Sequence, residues 1–191
     1  GQRWEALLAE FRGRGWKADP FILRAESRIV VGLGAESVLE TNIRLHRVYG
    51  FPIIPGSALK GLARAYAKLV AGIEERDSLF REVFGTTSSE ALAGKVIFLD
   101  AIPANSEVKL ELDVMNPHYS EYYRGGNVPP ADYLNPTPIY FLVIAPGSEF
   151  LFAVVSENSE LASQAEAWLR GGLKELGVGA KTTAGYGYWT A

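Results

Sequence analysis

Cysteine is absent from the 191 residues, methionine occurs once and histidine twice. Without a thiol the chain has no disulfide, no Cys-ligated zinc, no iron-sulfur cluster and no cysteine nucleophile, and two histidines are too few for a His-based metal centre. No metal and no cofactor is therefore expected. The missing cysteines suit a reducing compartment, so the expected location is cytoplasmic. Also missing is any apolar run near the roughly 20 residues that span a bilayer, and the N-terminus lacks the charged, apolar and small-residue succession of a signal peptide. No membrane partner is expected. The chain starts with Gly rather than Met, which suits a trimmed start. Nor is there an excess of positive charge: 19 Lys and Arg stand against 22 Asp and Glu, a net charge of -3, so composition alone does not announce a nucleic-acid binder.

What is present is a chain that is 48% hydrophobic, with 20 Gly and 10 Pro falling at element boundaries rather than in tracts. No fixed-period repeat or low-complexity linker divides it, so residues 1–191 are expected to form one domain carrying insertions and an N-terminal accessory helix. Trp4, Leu7, Leu8 and Phe11 fall at helical spacing and mark that helix. Arg28 to Val31 reads as a strand, Gly56-Ser57 opens a helix to about Val70, and Glu74 to Phe84 reads as a second helix ended by Gly85. Lys95 to Ala101 and Val108 to Val114 read as strands, followed by an aromatic, Pro-rich stretch from Met115 to Pro138. Ile139 to Ala145 and Phe150 to Ser156 are expected to form a hairpin about Pro146-Gly147-Ser148-Glu149. Leu161 to Leu176 is helical by its apolar spacing, with Gly177 placed to end it, and Gly187 to Thr190 is a closing strand. The resulting order, strand-helix-strand-strand-helix-strand with an extra hairpin, predicts an α+β protein of ferredoxin-like (RRM-like) type whose sheet has one open face able to hold single-stranded RNA.

Two stretches stand out chemically. Thr41 to Ile73 contains no Asp or Glu but carries Arg44, Arg47, Lys60, Arg64 and Lys68. Lys60, Arg64 and Lys68 recur every four residues on one helix face, with Leu59, Leu62, Tyr66 and Leu69 on another. Gly56 permits close backbone approach, and the N-H groups beside Ser57 at the helix start are suited to a phosphate. The plainer reading is a solvated stripe with Ser57 as an N-cap. The second stretch is GVGAKTTAGYGYW, Gly177 to Trp189, in which Gly179 exposes backbone, Lys181 supplies charge, Thr182 and Thr183 supply hydroxyls and Tyr186 offers a ring to stack on a base. It is no Walker loop, because Ala180 precedes the lysine. Its plainer reading is a tight helix-to-strand connection. His46, between Arg44 and Arg47, is an RNA-contacting or structural side chain, or a general acid-base working with Tyr49 or Lys60. His118 sits among tyrosines and suits stacking or an interface, and Asp100 and Asp113 receive no catalytic role.

Three separated motifs, GSALKGLAR at Gly56 to Arg64, FG at Phe84-Gly85 followed by GKVIFLDA at Gly94 to Ala101, and the terminal GVGAKTTAGYG, occur in an order that resembles the RAMP superfamily of CRISPR RNA-guided systems. DVMNPHYSEYY at Asp113 to Tyr123 and the PTPIYFLVIAPGSEF that follows are similar in particular to the family of sixth subunits of the type III-B (Cmr) effector. The resemblance implies a ferredoxin-like RAMP fold and an architectural, noncatalytic role. In that role the subunit binds guide crRNA, caps the assembly near the crRNA 3′ end, and meets target RNA and other Cmr subunits: the filament-forming RAMP subunit, the other capping RAMP subunit and the small helical subunit. It makes the Gly56 to Arg64 motif and the Gly177 to Tyr186 loop guide contacts, and the MNPHY region and hairpin subunit interfaces. Two rivals stand beside this reading: a metal-independent endoribonuclease using His46, and a protein-binding scaffold whose basic helix meets an acidic partner.

Overall fold

A computed structural model describes residues 1–34, 43–86, 91–115 and 138–190. The chain runs α1 (Gln2–Gly13), β1 (Pro20–Ala25), α2 (Gly56–Leu69), α3 (Ser78–Phe84), β2 (Ile97–Phe98), β3 (Ile102–Pro103), β4 (Leu110–Met115), β5 (Ile139–Ile144), β6 (Glu149–Val155), α4 (Ser159–Glu175), a 3-10 turn (Thr182–Ala184) and β7 (Trp189–Thr190). The main sheet has the order β2-β6-β1-β7, with β3 also on β6, and each of these pairings is antiparallel. Between β1 and β2 in the chain comes α2, between β6 and β7 comes α4, and in the sheet each of these pairs is split by a strand of the other. That is the split βαβ arrangement, so the expected ferredoxin-like α+β class is the observed one.

Alternation explains how the sheet buries one face. Phe21, Leu23 and Ala25 of β1 and Phe150, Phe152 and Val154 of β6 point into one cluster with Trp189, covered by Leu59, Ala63 and Ala67 of α2 and by Leu161, Ala165, Trp168, Leu169 and Leu173 of α4. The Trp189 ring meets Phe150 and Phe152 edge-on at 5.4 and 5.2 Å, a geometry worth about 0.5–1.5 kcal/mol per pair beyond area burial. Helices α2 and α4 pack closely because Tyr66 and Leu62 lie where side chains on Gly171 and Gly172 would be.

Several sequence expectations are corrected. The opposite sheet face is not open throughout: α1 lays Leu8 against Ala153 and Val155, with Trp4, Phe11 and Trp16 around them. What remains uncovered beside it among the described residues, Ile22, Arg24, Ile97, Thr190 and part of Leu151, has no aromatic ring, so it lacks the stacking platform of an RRM-type sheet. The first strand is Pro20–Ala25 rather than Arg28 to Val31; among the described residues the latter segment forms a single isolated β-bridge, Ile29 to Ile144, besides single backbone bonds to loops. Ile139–Ile144 and Glu149–Val155 do not pair with each other. The turn between them is locked to the end of β1 (Gly147 N-H to Ala25 O, 2.7 Å; Ala25 N-H to Ser148 O, 2.8 Å), which sends β6 onto β1 while β5 pairs with β4 in a separate two-stranded sheet. The second helix begins only at Ser78, where the Asp77 side chain accepts the Leu79 N-H at 2.8 Å. Leu69, expected on the apolar face of α2, is 76% exposed. The motif residues 116–123, His118 included, lie outside the described residues.

Candidate nucleic-acid interface

Helix α2 starts from Pro55, and its first N-H, on Gly56, donates at 2.7 Å to the carboxylate of Asp100. An intramolecular carboxylate thus sits at the end of the helix where the sequence suggested a phosphate. Gly56 is buried because a Cβ there would overlap the Phe98 carbonyl; its lack of a side chain lets α2 lie against β2. Ser57 is exposed in the first turn and makes no side-chain cap. Asp100 reaches this position because the strand expected over Lys95 to Ala101 breaks after Phe98, where Ala101 and Ile54 exchange backbone bonds of 2.9 and 3.1 Å.

Along α2 the basic face divides. Arg64 and Lys68 both bond one carboxylate oxygen of Glu75, at 3.0 and 2.8 Å, and the Arg64 guanidinium also lies 5.5 Å from the centre of the Phe80 ring. The hydrogen bond from Lys68, then that from Arg64, holds the Glu75 carboxyl below its ordinary range. Lys60, half-buried, has no ion-pair partner among the described residues. Glu75 lies just beyond the acid-free window, which is why a windowed charge count missed it.

The other basic stretch is built on the segment 28–31. Its even residues bond the Gly-rich loop: Gly187 N-H donates to Arg28 O at 2.9 Å and Ala180 N-H to Val30 O at 2.8 Å. Its odd residues bond the opposite side: Ile29 exchanges bonds with Ile144, and Arg44 N-H donates to Val31 O at 2.8 Å. The Gly-rich loop and the Arg44 segment therefore flank one extended strand, about 10 Å apart at two strand spacings. Gly179, at φ +98°, leaves no room for a Cβ against the Val30 carbonyl. Lys181 takes φ +60°, the one left-handed non-glycine residue among those described, and its ammonium lies 5.4 Å from the centre of the Phe141 ring. Thr182 is half-buried, its carbonyl accepting from the Tyr188 hydroxyl at 3.2 Å, and Thr183 is exposed. Arg44 and Arg47 are exposed and carry no ion pair among the described residues.

Tyr186 does not stand free for stacking. Its hydroxyl donates to Asp113 on β4 at 2.6 Å, and its ring leans on Phe141 of β5 at 6.4 Å. This bond lowers the Asp113 pKa against the opposing effect of desolvation and raises that of Tyr186. Arg28 stands 3.5 Å from both Glu111 and Asp113. Asp113, Arg28 and Phe141, absent from the sequence reading of the site, hold the Gly-rich loop to the two-stranded sheet. The pattern signal that would have found Asp113 is its register: Asp113 pairs with Phe141 on the face of β4-β5 opposite Leu112 and Leu142.

His46 closes a tight turn. Its Nδ1 accepts the N-H groups of Val48 and Tyr49 at 3.2 and 3.3 Å, and its ring lies 5.0 Å from Tyr49 and 4.9 Å from Phe51. Among the described residues no group of three His, Cys, Asp or Glu is placed to hold a metal ion, and no helix is long and apolar enough to cross a membrane.

Comparison with known proteins completes this geometry. The RAMP superfamily model matches residues 22–189. The CRISPR system Cmr subunit Cmr6 of Pyrococcus furiosus is 37% identical, over 86% of this chain and 65% of its own length. The Cmr6 subunit of Saccharolobus solfataricus is 26% identical, over 87% of this chain and 55% of its own. The chain thus spans somewhat more than half to about two thirds of these relatives. Among solved structures, the crystal structure of Cmr6 from Pyrococcus furiosus is 36% identical, with a TM-score of 0.59 over 92% of this chain and 98% of that one. A chain of the type III-B Cmr-beta complex bound to cognate target RNA shares the fold, at 24% identity and a TM-score of 0.79 over 98% of this chain and 63% of that one. Since the superfamily match takes in every strand but the first two residues of β1 and the last of β7, and the Cmr6 crystal structure is followed along nearly its whole length, the chain belongs to the RAMP superfamily and, within it, to the Cmr6 family.

Proposed function

We propose that the chain is a noncatalytic subunit of a cytoplasmic type III-B CRISPR effector. It holds the sugar-phosphate track of the guide crRNA between the Arg44 segment and the Gly-rich loop and caps the assembly near the guide's 3′ end. The observation that carries this is the shared seat of the two stretches on the consecutive carbonyls of Val30 and Val31. Arg44, whose N-H bonds that seat, and Arg47 and Lys60 lack carboxylate partners among the described residues, leaving them for phosphates. Gly56 and Ser57 belong to this reading as the frame of α2 rather than as its phosphate-binding end, because Asp100 already accepts the first N-H. Gly179, Lys181, Thr182 and Thr183 present the loop, and Tyr186 holds it in place. The partners are the guide, with target RNA, and the neighbouring Cmr subunits, and residues 1–191 act as one RAMP domain.

The noncatalytic reading draws on His46. Its Nδ1 is engaged by two backbone N-H groups, and no carboxylate or amine among the described residues bonds its other nitrogen to set up acid-base work. The test is a crosslinking map of guide RNA in the reconstituted effector. Crosslinks should concentrate at residues 44–47, 60 and 179–183, and should fall when Arg44 and Arg47 are both replaced by Ala. Crosslinks confined to other subunits would overturn the reading, and metal-free cleavage of repeat RNA abolished by His46→Ala would replace it with the nuclease.

A further inference from the structure

The turn that His46 closes forms one wall of a cleft of about 690 Å³ between the start of α1 and residues 46–53. Its lining is mostly apolar and aromatic: Trp4, His46, Val48, Tyr49, Phe51 and Ile53. Tyr49 and Phe51 present nearly parallel rings, 3° apart in tilt and 6.0 Å between centres, and Tyr49 is 56% exposed. Because His46 Nδ1 is an acceptor, the ring N-H is at Nε2, and it has no acceptor among the described residues. The carboxylate that lines the cleft, Asp100, is bonded to the Gly56 N-H, and its carbonyl accepts the Trp4 Nε1-H at 3.3 Å. Arg3 lines the same cleft, Arg47 lies in the turn and Arg44 just before it, and none of the three has an ion-pair partner among the described residues.

Parallel aromatic faces, a ring N-H donor and a surround of unpaired guanidinium groups are the elements from which sequence-tolerant sites for unstacked bases are made. A volume of this order holds a nucleoside. We propose that this cleft receives one unstacked nucleobase of single-stranded RNA against Tyr49, with the attached phosphate held by Arg47 and Arg3. The proposal rests on the RNA-binding reading above and adds to it a stacking site. Tyr186 does not fill that role, since its hydroxyl and ring are committed to Asp113 and Phe141. Positive charge around an apolar cleft favours a nucleotide, which brings base and phosphate together, over an apolar peptide, which supplies no anion.

The experiment uses the full chain at low salt and in excess, with single-stranded oligouridylates each carrying one 2-aminopurine at a different position. Binding should quench the fluorescence at one position. Tyr49→Ala should restore that fluorescence and weaken affinity about tenfold without changing the salt slope, while Tyr49→Phe should stay within about twofold of the parent. Arg47→Ala should instead flatten the salt slope. Affinity within twofold and intact quenching in Tyr49→Ala, with an unaltered melting curve, would overturn the stacking site and leave the RNA-binding reading standing. Absence of binding by the parent chain at every salt concentration would overturn both. Unchanged RNA affinity with lost docking to a neighbouring effector subunit would overturn the stacking site by assigning the cleft to a protein partner.

Discussion

On α2, Arg64 and Lys68 converge on the single carboxylate of Glu75, whereas Arg44 and Arg47, from the same acid-free window of the sequence, meet no acid among the described residues. The two regions look alike as a list of charges and differ as electrostatic environments. A chain that turns back immediately after its basic helix delivers Glu75 onto it, while the Arg44 segment is flanked by hydrogen-bonded backbone. An exposed ion pair adds little to stability. It does set a competition, because a phosphate that takes Arg64 or Lys68 must first displace Glu75. Arg44 and Arg47 face no such competition among the described residues, so RNA affinity is expected to depend on them more than on Arg64 and Lys68 of the helix stripe.

The largest effect should come from breaking the seat itself. Gly179→Ala puts a Cβ into the Val30 carbonyl at a φ of +98°, which combines overlap with backbone strain, and should cost about 3 kcal/mol in urea unfolding. RNA affinity should fall with it. If the variant keeps its parent's stability, the loop does not sit against Val30 in solution.

Next in size is a direct contest between the two regions. Arg44→Ala with Arg47→Ala should lower single-stranded RNA affinity about tenfold and reduce the salt slope by about 1.4, the value for two lost phosphate contacts. Arg64→Ala with Lys68→Ala should reduce the slope by less than about 1. Equal losses would mean that Glu75 does not compete. Smaller again, and of opposite sign, Glu75→Gln should raise affinity about twofold and steepen the slope, because it releases both cations. An unchanged slope would remove the ion pairs as a brake on binding.

How much of this was legible follows from what each signal depends on. Helix α2 and helix α4 were readable because their apolar residues recur at helical spacing, and β5 and β6 because they are long apolar runs. Strand β1 was missed because it starts at a proline, which reads as a breaker; its Phe21, Leu23 and Ala25 alternation carries the true signal. The β5-β6 hairpin was a false inference from a good turn. Sequence reports that the chain reverses at Pro146-Gly147, but not that β1 and β4 compete for the two strands and win. At the candidate site the basic and glycine residues were legible as types. Their partners were not: Glu75 acts from outside the window, Asp100 comes from the link between β2 and β3 and Asp113 from β4, so only tertiary structure brings them to Gly56 and Tyr186.

The smallest predicted effect isolates the loop from the helix. Tyr186 holds Asp113 below the usual aspartate range, so the folded state favours the ionised carboxylate more than the unfolded state does. That contribution is complete above the ordinary aspartate pKa and is lost as pH falls through the lowered value. The raised Tyr186 pKa sets the other limit: its contribution is complete below the ordinary tyrosine pKa and is lost as pH rises through the raised value. Asp113→Asn should therefore be less stable than the parent on the plateau between, with the gap in unfolding free energy closing toward strong acid. A gap that does not narrow as pH falls until both proteins unfold would show that packing, and not the ionised bond, separates the two proteins. Glu75, whose pKa is also lowered, belongs to the α2 stripe. If Asp113→Asn also abolishes the loss of RNA affinity caused by Arg64→Ala with Lys68→Ala, the two basic regions bind as one unit; independent losses keep them distinct.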